Sequence, residues 1–158
     1  MLKPLVLLAV LACLLVGPSE QLRAQEPASL LEFRLADDND TAGWQEMEVR
    51  GSDKPVFVSN EVALNGGDIE KVSFYKDRNG DPSIGLTLSE DGAEAMITTT
   101  SQNRGKKLAI LLGGKVVSAP VIQSAISKEV QITGRFDQDD LLTFFHAIVL
   151  RKLPANGK

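Results

Sequence analysis

Residues 107–122 contain two apolar runs separated by the dipeptide Gly113-Gly114. Glycine accepts the positive φ angles of a two-residue hairpin turn, so the pattern predicts two antiparallel strands joined at this dipeptide. A two-residue turn also fixes which residues face each other across the hairpin. It predicts the cross-strand pairs Leu112 with Lys115, Leu111 with Val116, and Ile110 with Val117.

Side chains alternate between the two faces of a strand, so this register gives the hairpin two apolar faces. The first face carries Leu108, Ile110, Val117, Ala119 and Val121. The second face carries Leu111, Val116, Ala109 and Ser118. We expect the first and larger set to lie in the core. Pro120 cannot donate a ladder hydrogen bond, which predicts that the second strand leaves the sheet or runs at its edge near this residue.

Alternating apolar and polar residues predict further strands along the chain. They fall at 30–36, at 71–88 as a hairpin around Asn79-Gly80, and at 129–133, with weaker strands near 45–50 and 55–59. Two segments with helical spacing follow the N-cap residues Ser89 and Asp137, which predicts helices near 89–104 and 137–151.

This order of elements predicts an α+β fold. We expect one antiparallel or mixed β-sheet, built from the hairpins at 71–88 and 107–122, with both helices packed on one face. The last helix should be the principal cover of the sheet, with Leu142, Phe145 and Val149 turned inward.

The first 24 residues have the pattern of a secretory signal peptide, because Lys3 precedes an apolar run from Leu5 to Val16 and a Gly-Pro break. The apolar run is shorter than the about 20 residues that span a bilayer, so a membrane anchor is the weaker interpretation. The alternative is a lipoprotein acylated at Cys13. We therefore expect a signal peptide over 1–24, a polar lead over 25–29, one domain over 30–155 and a tail over 156–158.

Charge and cysteine content exclude several classes of protein. The 158-residue chain carries a net charge of −4, and its one cysteine lies within the expected signal peptide. No disulfide is therefore expected after cleavage, and one Cys with one His cannot supply the ligands of a zinc site. The acidic balance argues against nucleic-acid binding, which draws on clustered Lys and Arg.

The chain lacks a recognisable catalytic motif, so no enzyme activity, cofactor or metal ion is expected. His146 is the only histidine and has no nucleophile or second base near it in sequence. The acidic loops at 37–43 and 77–81 fit a calcium loop poorly, since Val49 and Pro82 stand where a Glu and a Gly are needed. Hydrolysis by carboxylates alone is the residual enzymatic alternative.

The segments at 107–122, 131–136 and 150–154 together resemble the head subdomain of the large periplasmic domain of the SecD protein-export family. The specific core of the resemblance is Gly-Lys-Val-Val-Ser-Ala-Pro-Val-Ile, and it extends over about residues 30–155. The resemblance implies the fold and a location on the export side of the membrane. It does not carry over proton-driven translocation, which in that family depends on a membrane part that does not fit in residues 25–158.

The sequence and the resemblance together favour a non-enzymatic, exported binding module, periplasmic or extracellular, that contacts polypeptide or an envelope protein. The alternative is a structural or regulatory subunit of an envelope complex. The candidate partner-binding face is the second face of the 107–122 hairpin, with Leu111 and Val116 as anchors beside Ala109 and Ser118. The strands near 45–59 or the lead at 25–29 could instead cover this face as a second small core. The sequence does not set the oligomeric state.

Overall fold

The computed structural model describes residues 30–134 and 136–152, which form nine strands and two α-helices. The strands are β1 (Leu31–Asp37), β2 (Gln45–Met47), β3 (Val56–Val58), β4 (Leu64–Asn65), β5 (Ile69–Lys76), β6 (Pro82–Leu88), β7 (Lys107–Leu112), β8 (Lys115–Ser118) and β9 (Glu129–Thr133). The helices are α1 (Glu90–Gln102) and α2 (Gln138–Lys152), and a short 3₁₀ turn covers Gly66–Asp68. The expected signal peptide, polar lead and tail lie outside the described residues, so the domain boundaries stay predictions.

The α+β fold class is confirmed, and both helices begin within one residue of the predicted position. The two hairpins, however, lie in separate sheets. The larger sheet has the order β2-β3-β1-β7-β8, with β4 also paired to β1, and the smaller has the order β5-β6-β9. The separation arises because β7 takes β1 as its second neighbour, whereas β6 takes β9.

The main core lies where both sheets and both helices meet. Its largest fully buried side chains include Phe33 from β1, Leu86 from β6, Met96 from α1 and Phe144 from α2. The ring of Phe136, in the loop before α2, packs edge-on against Phe144 with a 5.7 Å separation of ring centroids. Because every layer contributes to one continuous core, we expect the described residues to unfold together.

The inward face of α2 differs from the predicted one. Phe144, Ala147 and Ile148 are buried, whereas Leu142 is 50% exposed and Phe145 is 44% exposed. A helix that rests on one surface buries a single stripe along its length, and the apolar arc predicted for α2 is broader than that stripe. The side chain of Val149 lies outside the described residues.

The 107–122 hairpin contains a β-bulge that the predicted register lacks. Leu111 pairs with Val116 as predicted, but Ile110 pairs with Ser118, so Val117 is the extra residue on β8. A bulge shifts the alternation of every residue that follows it. Ala119 accordingly packs on the opposite face from the predicted one, and Val121 is 50% exposed.

Gly92 allows close contact between α1 and the 3₁₀ turn. A Cβ atom at this residue would lie 2.7 Å from the backbone oxygen of Asp68. The same oxygen accepts a hydrogen bond from the Ser89 amide at 2.8 Å, and the Ser89 hydroxyl accepts one from the Gly92 amide at 3.1 Å. The hydrogen bonds of Ser89 therefore hold the start of α1 against the turn, and the lack of a side chain at Gly92 leaves room for this close contact.

Candidate functional site

The larger sheet curls until its two outer strands meet. Two residues beyond the end of β2, Val49 forms a parallel bridge with Val116 of β8, and the Arg50 amide donates a hydrogen bond of 3.0 Å to the Val116 carbonyl. We call residues 45–52 the closing segment. Because this segment continues β2 and also contacts β8, the sheet is closed in the manner of a small barrel.

The closed sheet surrounds a second, smaller core. Strand β7 serves both cores, since Leu108, Ile110 and Leu112 face the main core while Ala109 and Leu111 face the second one. The second core consists of Ala36, Val56, Val58, Ala109, Leu111 and Val116, with Met47, Val49 and Ala119 partly buried against it.

The predicted binding residues therefore lie beneath the closing segment. Ala109 is fully buried, Leu111 is 3% exposed and Val116 is 1% exposed, while Ser118 is half-buried. The expectation that Leu111 and Val116 form an exposed face is wrong, because β2, β3 and Val49 cover that face. Residues 45–59 cover this face, which is one of the alternatives left open by the sequence, and the lead at 25–29 lies outside the described residues. A role of these residues in binding stays a prediction.

A cleft of about 640 Å³ borders the closure, between the closing segment and the β7–β8 turn. Its walls include Gly114, Lys115 and Val116 on one side and the whole closing segment on the other. Glu46, Glu48 and Arg50 are exposed, whereas Met47 and Val49 are half-buried. The cleft thus combines the extended backbone of β2, a turn at Arg50 and Gly51, a partly apolar floor and charges of both signs.

Arg50 links the closing segment to α2. Its guanidinium donates a hydrogen bond to the carboxylate of Asp140 and lies 3.7 Å from the carboxylate of Asp137. The side chain of Asp140 is only 7% exposed, so Arg50 supplies the positive charge that this buried carboxylate needs. Sequence reasoning missed this residue, since a single arginine beside a glycine carries no recognisable signal.

The same two aspartates begin α2. The Asp137 carboxylate accepts a hydrogen bond of 2.8 Å from the Asp140 amide, and the Asp140 carboxylate accepts one of 3.1 Å from the Asp137 amide. The bond from the Asp140 amide, together with the Arg50 charge, lowers the pKa of Asp137. The capping role predicted for Asp137 is confirmed, and the structure adds Asp140 and Arg50 to it.

Other chemistry-bearing residues lie apart from the closure. In residues 30–134 and 136–152, no group of three or more His, Cys, Asp or Glu side chains is arranged to hold a metal ion. His146 is exposed on α2, with its ring 6.3 Å from that of Phe145. Neither helix of the described chain has the length and apolar character needed to cross a membrane.

Comparison with known proteins gives one consistent result. The family model described as the SecDF P1 head subdomain matches residues 44–152. Protein translocase subunit SecD of Elusimicrobium minutum is 39% identical over 105 residues, which cover 65% of this chain and 22% of that protein. SecD of Aquifex aeolicus is 39% identical over 95 residues, which cover 60% of this chain and 19% of that protein.

Solved structures show the same fold. The crystal structure of SecDF in its super-membrane-facing form matches 75% of this chain and 18% of that one, with a TM-score of 0.59 and 25% identity. A second structure, of SecDF as a membrane component that enhances protein export, covers 75% of this chain and 62% of that one, with a TM-score of 0.57 and 23% identity. The chain spans about a fifth of the length of the two SecD proteins it matches.

Proposed function

The chain belongs to the SecDF P1 head subdomain family, and from this membership we propose that it is a non-catalytic, polypeptide-binding module of protein export. The family match supports a role connected with protein export, and the resemblance read from residues 107–122 is confirmed by it. The activity of a whole SecD protein is not transferred, because this chain spans only 22% of the first of these relatives.

We place the bound polypeptide in the cleft beside the closing segment. Among the described strands β2 pairs only with β3, so its other edge offers backbone hydrogen-bonding groups that do not depend on the sequence of the bound chain. Met47 and Val49 supply an apolar floor, and Val116 of the predicted binding set lines the opposite wall. Leu111 supports this wall from below, so we assign it an indirect role in binding. This cleft is the single observation that most favours polypeptide as the ligand.

A structural or regulatory subunit of an envelope complex is the second candidate. It is favoured by the names of the relatives, which are subunits of a protein translocase. Under this function the cleft would hold one defined segment of one partner protein. Under the first function it would accept segments of many unfolded chains.

Site-specific photo-crosslinking tests the cleft. We expect Lys115 replaced by p-benzoylphenylalanine to crosslink to an unfolded model protein, because Lys115 is exposed at the wall of the cleft. The matched control carries the same group in place of Ser101, which is exposed on α1 away from the closure. Equal labelling by the two variants would contradict the proposed site. In cells, a single crosslinked partner in place of many would favour the envelope-complex subunit.

Export through a cleavable signal peptide is also part of the proposal. It is supported by the apolar run between Leu5 and Val16 and by the SecD relationship. We expect mass spectrometry of the protein from its native cells to give a new N-terminus near Gln25. An intact Met1, or a lipid mass attached to Cys13, would overturn this expectation.

A further inference from the structure

Strand β5 forms one edge of the smaller sheet. Over the part of the chain that the structure describes, β5 pairs with β6 and with no other strand. Residues 73–76 are all exposed, including Phe74 at 43% and Tyr75 at 41%, whose side chains point to opposite faces. Natural edge strands are usually short, carry lysines, or are interrupted by proline or bulges, and β5 has lysines at positions 71 and 76 on either side of Phe74. This one has eight residues, no proline, and a bulge only at its start.

The backbone groups that face outward follow from the hairpin register. The Asp77 amide donates a hydrogen bond of 2.8 Å to the Asp81 carbonyl, which marks these residues as a hydrogen-bonded pair. Hydrogen-bonded and non-hydrogen-bonded pairs alternate in an antiparallel ladder. Ser73 and Tyr75 therefore bond to β6, while Val72, Phe74 and Lys76 direct their N–H and C=O groups away from it. Pro82, which has no N–H, lies opposite Lys76 and agrees with this assignment.

This edge is complementary to itself. In an antiparallel pairing about a twofold axis at Ser73, Val72 of one copy lies opposite Phe74 of the other. Both residues have outward backbone groups, so the pairing satisfies the hydrogen bonds of both copies. Lys71 then faces the Tyr75 ring of the second copy. Lys76 approaches Glu70 at the bulge, where the Glu70 carboxylate also lies 3.9 Å from Lys128 of its own chain. Apolar, cation–aromatic and opposite-charge pairs all stabilise neighbouring strands.

We propose that two copies of this chain associate through β5, making a continuous six-stranded sheet in the order β9-β6-β5-β5-β6-β9. A second copy is the favoured occupant because a single register pairs the outward backbone groups, brings Val72 against Phe74, and places Lys76 near Glu70. A twofold contact of this kind closes on itself, so association stops at the dimer. The proposal does not depend on polypeptide binding at the cleft, which lies on the other sheet.

Disulfide crosslinking tests both the contact and its register. Ser73 meets its own copy as a non-hydrogen-bonded pair, whose Cα separation of about 4.5 Å suits a disulfide. We expect the full chain with Cys13→Ser and Ser73→Cys to form a covalent dimer under mild oxidation. Ser101→Cys in the same background is the control and should stay monomeric. Crosslinking of Ser73→Cys no greater than this control would overturn the proposal, and preferential crosslinking of Phe74→Cys would overturn the register.

Sedimentation equilibrium gives a second measurement on the unmodified chain. We expect a reversible monomer–dimer equilibrium, and we expect Phe74→Lys to raise the dissociation constant at least about 10-fold by placing a charge where the apolar pair forms. Circular dichroism of this variant should be unchanged, because Phe74 is partly exposed in the single chain. A chain that stays monomeric up to about 1 mM would overturn the proposal. So would a foreign peptide bound along β5 of a monomer.

Discussion

Replacing both Leu111 and Val116 by serine is expected to lower the free energy of unfolding by about 5 kcal/mol or more, which is the largest effect we predict. Both side chains lie in the second core, at 3% and 1% exposure. The substitution removes apolar volume that cannot collapse inside a closed sheet, and it buries two hydroxyl groups. Urea unfolding, followed by circular dichroism, measures the change.

The control for this variant is the pair Leu142→Ser and Phe145→Ser on α2. These residues are equally apolar but about half exposed, so each should lower the free energy of unfolding by only about 1 kcal/mol. A double serine variant at Leu111 and Val116 that is as stable as the parent would mean that the hairpin face is open to solvent. If the double serine variant is less stable but still crosslinks to unfolded protein through position 115, Leu111 contributes to the stability of the cleft wall and not to binding itself.

Asp140→Ala is expected to cost about 2–3 kcal/mol in the free energy of unfolding, the second-largest effect. The Asp140 carboxylate is nearly buried and pairs with Arg50. It also accepts a hydrogen bond of 3.1 Å from the Asp137 amide. Its removal leaves Arg50 without this partner and the first turn of α2 with one more unsatisfied N–H group. Amide hydrogen exchange should show faster opening at Arg50, whose N–H closes the larger sheet.

A double-mutant cycle tests whether the closing segment and α2 are coupled. We expect Arg50→Ala and Asp140→Ala to be less costly together than the sum of the single changes, by about 1–3 kcal/mol. Asp139→Ala, in the same turn of α2 but exposed, is the matched control. Additive effects of Arg50→Ala and Asp140→Ala would show that their contact does not stabilise the fold.

Local patterns predicted the elements of this fold well. The cap at Ser89, the turn at Gly113-Gly114 and the alternation in β9 each depend on residues close together in sequence, and each is present in the structure. The choice of sheet partners is different, because it depends on which strands meet after distant segments fold. The residues of β7 and their neighbours in sequence do not indicate whether this strand pairs with β1 or with the β5–β6 hairpin.

The candidate site was less predictable for two physical reasons. The bulge at Val117 changes the alternation of β8 without a glycine or proline to mark it, so the apolar faces were assigned as if the strand were regular. The weak strands near 45–59 are short and mostly polar at β2, yet they decide whether Leu111 and Val116 are exposed. Whether an apolar face is buried depends on which other segment of the chain packs against it, and that segment is distant in sequence.

The central position of β1 has a consequence for the order in which the protein can fold. This strand is the first of the described elements, yet Phe33 pairs with Leu64 on one side and with Ile110 on the other. During synthesis from the N-terminus, β1 must wait for the chain beyond α1 before its second neighbour exists. Its apolar residues Leu31 and Phe33 stay accessible to chaperones, or to wrong strands, through most of that interval. A nascent chain halted after α1 should therefore aggregate more readily than the finished one.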